Sequence, residues 1–140
     1  RIAMLEGGTD DVLASSDVVV TASGTATVQA ALHGRPMVIV YRLSPLTYTV
    51  GRSVVRVSTY GMVNLVAGRT IVPELIQDRF TPEAVARETV SLLTDNARAE
   101  AMRRDVAEMR SRLGGPGASQ RAALAVSAAA SVHHRSTPTA

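Results

Sequence analysis

Cysteine is absent from the 140 residues, which excludes a disulfide framework and any thiolate metal ligand or nucleophile. Lysine is absent too, so all 15 basic residues are Arg. Aromatic residues make up only 3% of the chain, too few to build the platforms on which single-stranded nucleic acids stack. The net charge of +3 is dispersed, with no basic run longer than Arg103 and Arg104, so the electrostatic footprint of a nucleic-acid binder is missing. Anionic small molecules and lipid headgroups stay open as partners. No apolar run approaches the roughly 20 residues that span a bilayer, and no charged-then-apolar leader opens the chain. A soluble or, at most, peripheral protein is expected. Histidine is scarce: His33 falls at a helix end, and His133 and His134 lie in the tail. No His and carboxylate cluster has metal-ligand spacing, and no nucleophile has a placed base, so neither a metal nor a cofactor is expected. Neither GxGxxG nor a P-loop occurs, so no dinucleotide fold or NTPase is supported by motif.

What is present reads as alternating strand and helix. The length suffices for one domain that buries about two-thirds of the surface of its unfolded chain. Arg1 stands in what reads as the middle of an element, so a piece of something longer is expected. After Gly7 and Gly8, Thr9 can cap a short helix whose first turn carries Asp10 and Asp11, which suits the positive end of a helix dipole. Val18 to Thr21 lacks polar alternation and predicts a strand buried on both faces. A helix from about Gly24 to His33 follows, stopped by Gly34 with Pro36 behind it, and Met37 to Tyr41 is a second apolar strand. Two such strands joined by one helix make a parallel βαβ unit with a right-handed crossover.

Ser44 and Pro45 then signal a helix start, with Leu46, Val50 and Val54 as its apolar stripe. Thr81 and Pro82 repeat that signal before "EAVARETVSLL". From Ala97 to Leu113, Met102, Val106, Met109 and Leu113 recur at helical spacing, with Glu100 placed to pair with Arg104. Gly114 to Gly117 end this helix, Gln120 to Val132 predict one more, and a disordered tail is expected over 133–140.

"ASGTAT", Ala22 to Thr27, occupies the first strand-to-helix junction. In an open parallel sheet, ligands bind beyond the carboxyl ends of the strands, where helix N-termini also point. Gly24 lets a ligand approach the backbone, the N–H groups of Thr25 to Thr27 are orphan donors, and Ser23, Thr25 and Thr27 add hydroxyls. That set suits phosphate or diphosphate, while an ordinary N-cap accounts for it equally well. Arg42, directly after the second strand, either emerges at the same edge as a phosphate fork or caps the sheet in water. Tyr48, Arg52 and Arg56 could lie against anionic lipid, or their helix could simply be packed.

Three blocks in order, "SDVVVTASGTATVQAALHGRPMVIVYRLSPLTY", "NLVAGRTIVPELIQDRFTPEAVA" and "LGGPGASQRAA", resemble the C-terminal domain of the lipid-A-disaccharide synthase family. The resemblance covers Glu6 to about Ala123. It implies an α/β fold, a Rossmann-like parallel sheet with flanking helices that forms the C-terminal half of a GT-B glycosyltransferase. It places a partial nucleotide-sugar-binding domain over 1–113 and a turn with an Ala-rich helix over 114–132. The implied reaction is an inverting, metal-independent transfer of 2,3-diacylglucosamine from UDP to 2,3-diacylglucosamine 1-phosphate, with the catalytic carboxylate in a separate N-terminal domain that also binds the lipid acceptor. Ser23, Gly24, Thr25 and Thr27 would face the diphosphate of a UDP-diacylglucosamine donor. Where the family carries a Glu for ribose, this chain has Gln29. Asn64, Arg69, Glu74 and Gln77 would lie in or beside a second ligand loop, with Gly61 and Gly68 giving backbone latitude and Val63 standing where the family commonly has Pro. For Arg69 and Glu74 a surface ion pair is the alternative. The implied location is the cytoplasm, peripheral to the cytoplasmic face of the inner membrane; contact with anionic lipid and a homodimer are left open. Another GT-B enzyme acting on UDP-GlcNAc and a non-catalytic nucleotide-binding module are the competing readings.

Overall fold

The computed structural model describes residues 2–42 and 59–135. Its element order is α1 (Thr9–Ser15), β1 (Val19–Ala22), α2 (Thr25–Leu32), β2 (Met37–Tyr41), α3 (Met62–Ala67), β3 (Glu74–Ile76), a 3₁₀ turn (Gln77–Arg79), α4 (Pro82–Thr94), α5 (Asn96–Arg112) and α6 (Ala118–Arg135). The helix expected from Ser44, with its Leu46, Val50 and Val54 stripe and its Tyr48, Arg52 and Arg56 face, lies outside the described residues. The three strands form one parallel sheet in the order β1-β2-β3. Val19 pairs with Met37 and Ala22 with Val40, while Ile39 pairs with Glu74 and Tyr41 with Ile76. This is the α/β architecture that the strand and helix pattern predicts, and all three strand carboxyl ends share one edge.

Local chemistry sets the boundaries. Thr9 is the first helical residue of α1 rather than its cap; Gly8, at φ 64°, occupies the cap position because that left-handed geometry suits a residue without Cβ. Helix α2 ends in a double hydrogen-bonded turn, with Gly34 N–H donating to Ala31 C=O at 2.9 Å and Arg35 N–H to Ala30 C=O at 3.1 Å. Gly34 takes φ 66° there, which satisfies carbonyls that the helix end would orphan. Thr81 caps α4 as expected, its hydroxyl accepting from Ala84 N–H at 3.2 Å. Asp95 does the same for α5, accepting from Arg98 N–H.

Strand β2 is the centre of the core: Met37, Val38 and Ile39 are fully buried. On α5, Met102, Val106 and Met109 face this core, as their spacing predicts, and the Sδ of Met102 accepts from Met37 N–H at 3.3 Å. Leu113 departs from the stripe; it sits at the helix end, 40% exposed. Glu100 pairs with Arg103 at 2.6 Å rather than with Arg104, because the i, i+3 neighbour is equally close on a helical surface.

Strand β1 departs from its expected burial. Val19 is buried, but Val20 is 44% exposed. Alternation puts Val20 beside Val38 on the sheet face toward α4, and there α4 stops short of β1. The gap is an open groove of about 670 Å³ lined by Val20, Phe80, Val85 and Val90 among others. Helix α6 runs through Arg135, three residues beyond the expected end, with Leu124 and Val126 exposed. Among the described residues no helix is long and apolar enough to cross a membrane.

The burial difference between neighbours on α5 gives a direct check on this packing. Met109→Ala should lower the unfolding free energy by about 3 kcal/mol through lost transfer and a residual cavity. Leu113→Ala should change it by no more than about 0.5 kcal/mol. Urea denaturation of both variants measures the contrast, and equal costs would contradict the placement of Leu113.

Candidate functional site

The parallel topology brings the β1–α2 turn, the end of β2 and the end of β3 to one edge. At the turn Gly24 has φ 145° and ψ −161°, a region open essentially to glycine alone. A Cβ built there would meet nothing within 4 Å, so the requirement is conformational and the space beside the backbone is free. Thr27 N–H already donates to Gly24 C=O at 3.1 Å, which leaves the Thr25 and Ala26 N–H groups ahead of the first intrahelical bonds.

The hydroxyls of this turn divide into two kinds. Thr27 is fully buried and its Oγ1 donates to Gly24 C=O at 2.7 Å, so it shapes the helix start from within. Ser23 Oγ donates to Tyr60 C=O at 3.0 Å and ties the turn to the segment before α3. Thr25 is exposed, as is Gln29 one turn further along α2. The groups this turn leaves open are therefore the Thr25 and Ala26 backbone N–H groups and the Thr25 hydroxyl, with Ser23 and Thr27 holding their geometry.

Behind the turn lies a buried polar cluster. Asn64 is fully buried; its Oδ1 accepts from Ile71 N–H at 2.8 Å and Val72 N–H at 3.0 Å, and its Nδ2 donates to Val72 C=O at 2.9 Å. The same Nδ2 donates to Glu74 Oε1 at 2.7 Å. Glu74 in turn accepts from Tyr60 N–H and Gly61 N–H, each at 2.8 Å. Gly61 has an ordinary φ of −75°, so latitude is not its role. A Cβ there would come within 2.4 Å of Ile39 Cδ1 and 2.9 Å of Glu74 Oε1; only glycine leaves room for the carboxylate. Gly68, by contrast, does take φ 70° at the end of α3. Val63 is fully buried in α3. Thr59, Tyr60, Pro73, Glu74, Ile76 and Arg79 help line a cavity of about 270 Å³ that shares Tyr60 with the turn.

Both cations predicted for the site have protein partners. Arg69 pairs with Asp105 at 2.7 Å and Glu108 at 3.4 Å on α5, not with Glu74. The 36-residue separation of Arg69 and Asp105 explains why no local spacing revealed the pair. Arg112 joins it, donating to Ala67 C=O at the end of α3. Arg42 stays at the carboxyl edge of the sheet, where its Nη2 donates to Phe80 C=O at 3.1 Å and its guanidinium lies 5.5 Å from the Phe80 ring centre. Gln77 follows β3 directly, at φ 54°. Tyr60, whose main chain links turn and cluster, went unread in the sequence because a backbone group leaves no side-chain signature.

A family model described as lipid-A-disaccharide synthetase matches residues 1–129. The chain belongs to the lipid-A-disaccharide synthetase family. It is 41% identical over 123 residues to the lipid-A-disaccharide synthase of Syntrophus aciditrophicus, covering 88% of this chain and 32% of that protein. Against the lipid-A-disaccharide synthase of Myxococcus xanthus the identity is 46% over the same length and shares. With that of Azotobacter vinelandii it is 51% over 92 residues, 66% of this chain and 24% of the relative. The chain thus spans about a third of the length of the lipid-A-disaccharide synthases it matches.

The Arg69 pair has a pH signature. The Arg69 guanidinium, chiefly through its hydrogen bond, holds the Asp105 carboxyl below the usual carboxylate range, with burial opposing. Because the folded value is depressed, the stabilisation is present above the unfolded value near pH 4 and is lost as pH falls through the folded one. Acid titration of the urea midpoint should fall more steeply below about pH 4 for the unmutated chain than for Asp105→Asn. Identical acid profiles would remove the pair from the stability of this fold.

Proposed function

We propose that this chain is the donor-holding part of a lipid A biosynthesis glycosyltransferase, which moves 2,3-diacylglucosamine from UDP to 2,3-diacylglucosamine 1-phosphate and releases UDP. The observation that carries the reading is the β1–α2 turn, where an obligate glycine opens the start of α2 at the carboxyl edge of a parallel sheet. Family membership makes a UDP-sugar the anion to consider there.

In this reading the diphosphate sits against the Thr25 and Ala26 N–H groups, and the Thr25 hydroxyl adds a third donor. When the glycosyl bond breaks, the departing UDP gains negative charge. Donors already fixed by the helix start meet that charge without reorganising, and the helix dipole has the matching sign. Gln29, exposed one turn along α2, presents an amide to the ribose diol; it keeps an acceptor and lacks the strength of a carboxylate. We assign the acceptor site and the proton-transfer group to the two-thirds of the relatives' length that this chain does not span.

Isothermal titration of the 140-residue chain tests this. UDP should bind about tenfold or more tightly than uridine, as expected of charge-assisted hydrogen bonds to phosphate. Gly24→Val should erase that difference, because a β-branched residue cannot hold the backbone conformation that opens the start of α2. Equal binding of UDP and uridine by the unmutated chain would reject the phosphate assignment.

A further inference from the structure

We propose that Glu74 is a positioning residue for the phosphate-holding turn, acting through the Tyr60–Gly61 peptide and Ser23 without touching the nucleotide; this deepens the donor-site reading above and rests on it. The geometry is specific. Gly61 N–H and Tyr60 C=O belong to one peptide unit, which is planar and points these groups in opposite directions. Glu74 Oε1 holds the N–H end at 2.8 Å, and Ser23 Oγ donates to the C=O end at 3.0 Å. The second carboxylate oxygen holds Tyr60 N–H, also at 2.8 Å, so the plane cannot rotate about its own flank.

A carboxylate accepting from the N–H of a peptide raises the negative charge on its carbonyl oxygen and strengthens the bond that oxygen accepts. The chain carboxylate, peptide, hydroxyl is therefore cooperative, and its far end fixes the residue just before Gly24. Glu74 itself is set back from the ligand edge: it pairs with Ile39, which is level with Thr21, two positions before Ser23. Asn64 Nδ2 and the crowding of Gly61 against Ile39 and Glu74 hold the carboxylate in place. Five groups from α3, β2, β3 and the 59–61 segment thus converge on the orientation of one serine.

The test is isothermal titration of UDP and uridine against the unmutated 140-residue chain, Glu74→Gln, Glu74→Asp, Ser23→Ala and the Glu74→Gln, Ser23→Ala double variant. Glutamine replaces one acceptor oxygen by a donor, so it cannot serve both N–H groups; UDP affinity should fall roughly tenfold and uridine affinity by less than about twofold. Aspartate keeps the charge but is one methylene too short to span both donors, so it should weaken UDP similarly, and it carries the test if the glutamine variant does not fold. In the Ser23→Ala background, Glu74→Gln should cost less than about twofold further, the mark of coupled residues. Equal losses of UDP and uridine would mean that Glu74 touches the nucleoside, and additive losses would mean that it does not act through Ser23; either overturns the proposal. Full UDP affinity in Glu74→Asp would also overturn it, since charge alone would then suffice. An unmutated chain that fails to prefer UDP would instead overturn the donor-site reading, whatever the variants do.

Discussion

The buried side chain of Asn64 is the interaction on which the rest of this structure depends. Its amide takes the place of backbone partners for the bend at Ile71 and Val72, using both donor and acceptor ends, and hands its remaining reach to Glu74. A buried N–H or C=O left without a partner costs about 1–3 kcal/mol, so losing three at once would rival the total stability of a small domain. The chain can therefore enter β3 in the register that pairs Glu74 with Ile39 only while Asn64 holds the bend. That register places the Glu74 carboxylate beneath the Tyr60–Gly61 peptide, and the peptide reaches Ser23.

The second constraint is the sheet itself. Parallel strands return through crossovers, so every strand ends at the same edge, and the turn, Arg42 and Gln77 meet there without any local instruction to do so. The same topology leaves β1 at the rim with Val20 exposed over an apolar groove, whereas β2, flanked by strands and helices, is buried on both faces. Stability is thus concentrated on β2, α2 and α5, and the carboxyl edge of the sheet borrows its rigidity from polar links back to that core.

Much of the fold was legible because its signals are local. The apolar runs gave β1 and β2, Thr81 with Pro82 gave the start of α4, and the four, three spacing of Met102, Val106 and Met109 gave the buried face of α5. Gly24 was legible as a glycine that bares the backbone at a strand-to-helix junction, whereas its conformational requirement is visible only in the structure. The polar site was less so, since a side chain's partner is chosen by tertiary proximity. Arg69 finds Asp105 on a distant helix, Glu74 finds two main-chain N–H groups, and the Thr27 hydroxyl turns inward to Gly24. Burial of β1 was overread for a related reason: an apolar sequence fixes what a strand would prefer to contact, while its place at the rim decides what contacts it.

The central claim is that the start of α2 receives a diphosphate on its backbone N–H groups. An amide-resolved NMR titration of the 140-residue chain with UDP reads that contact most directly. The account predicts that the largest shifts fall on the Gly24, Thr25 and Ala26 amides, with smaller changes reaching Tyr60 and Gly61 through Ser23. Saturable shifts confined to the groove around Val20, Phe80 and Val90, with the α2 amides unmoved, would contradict it.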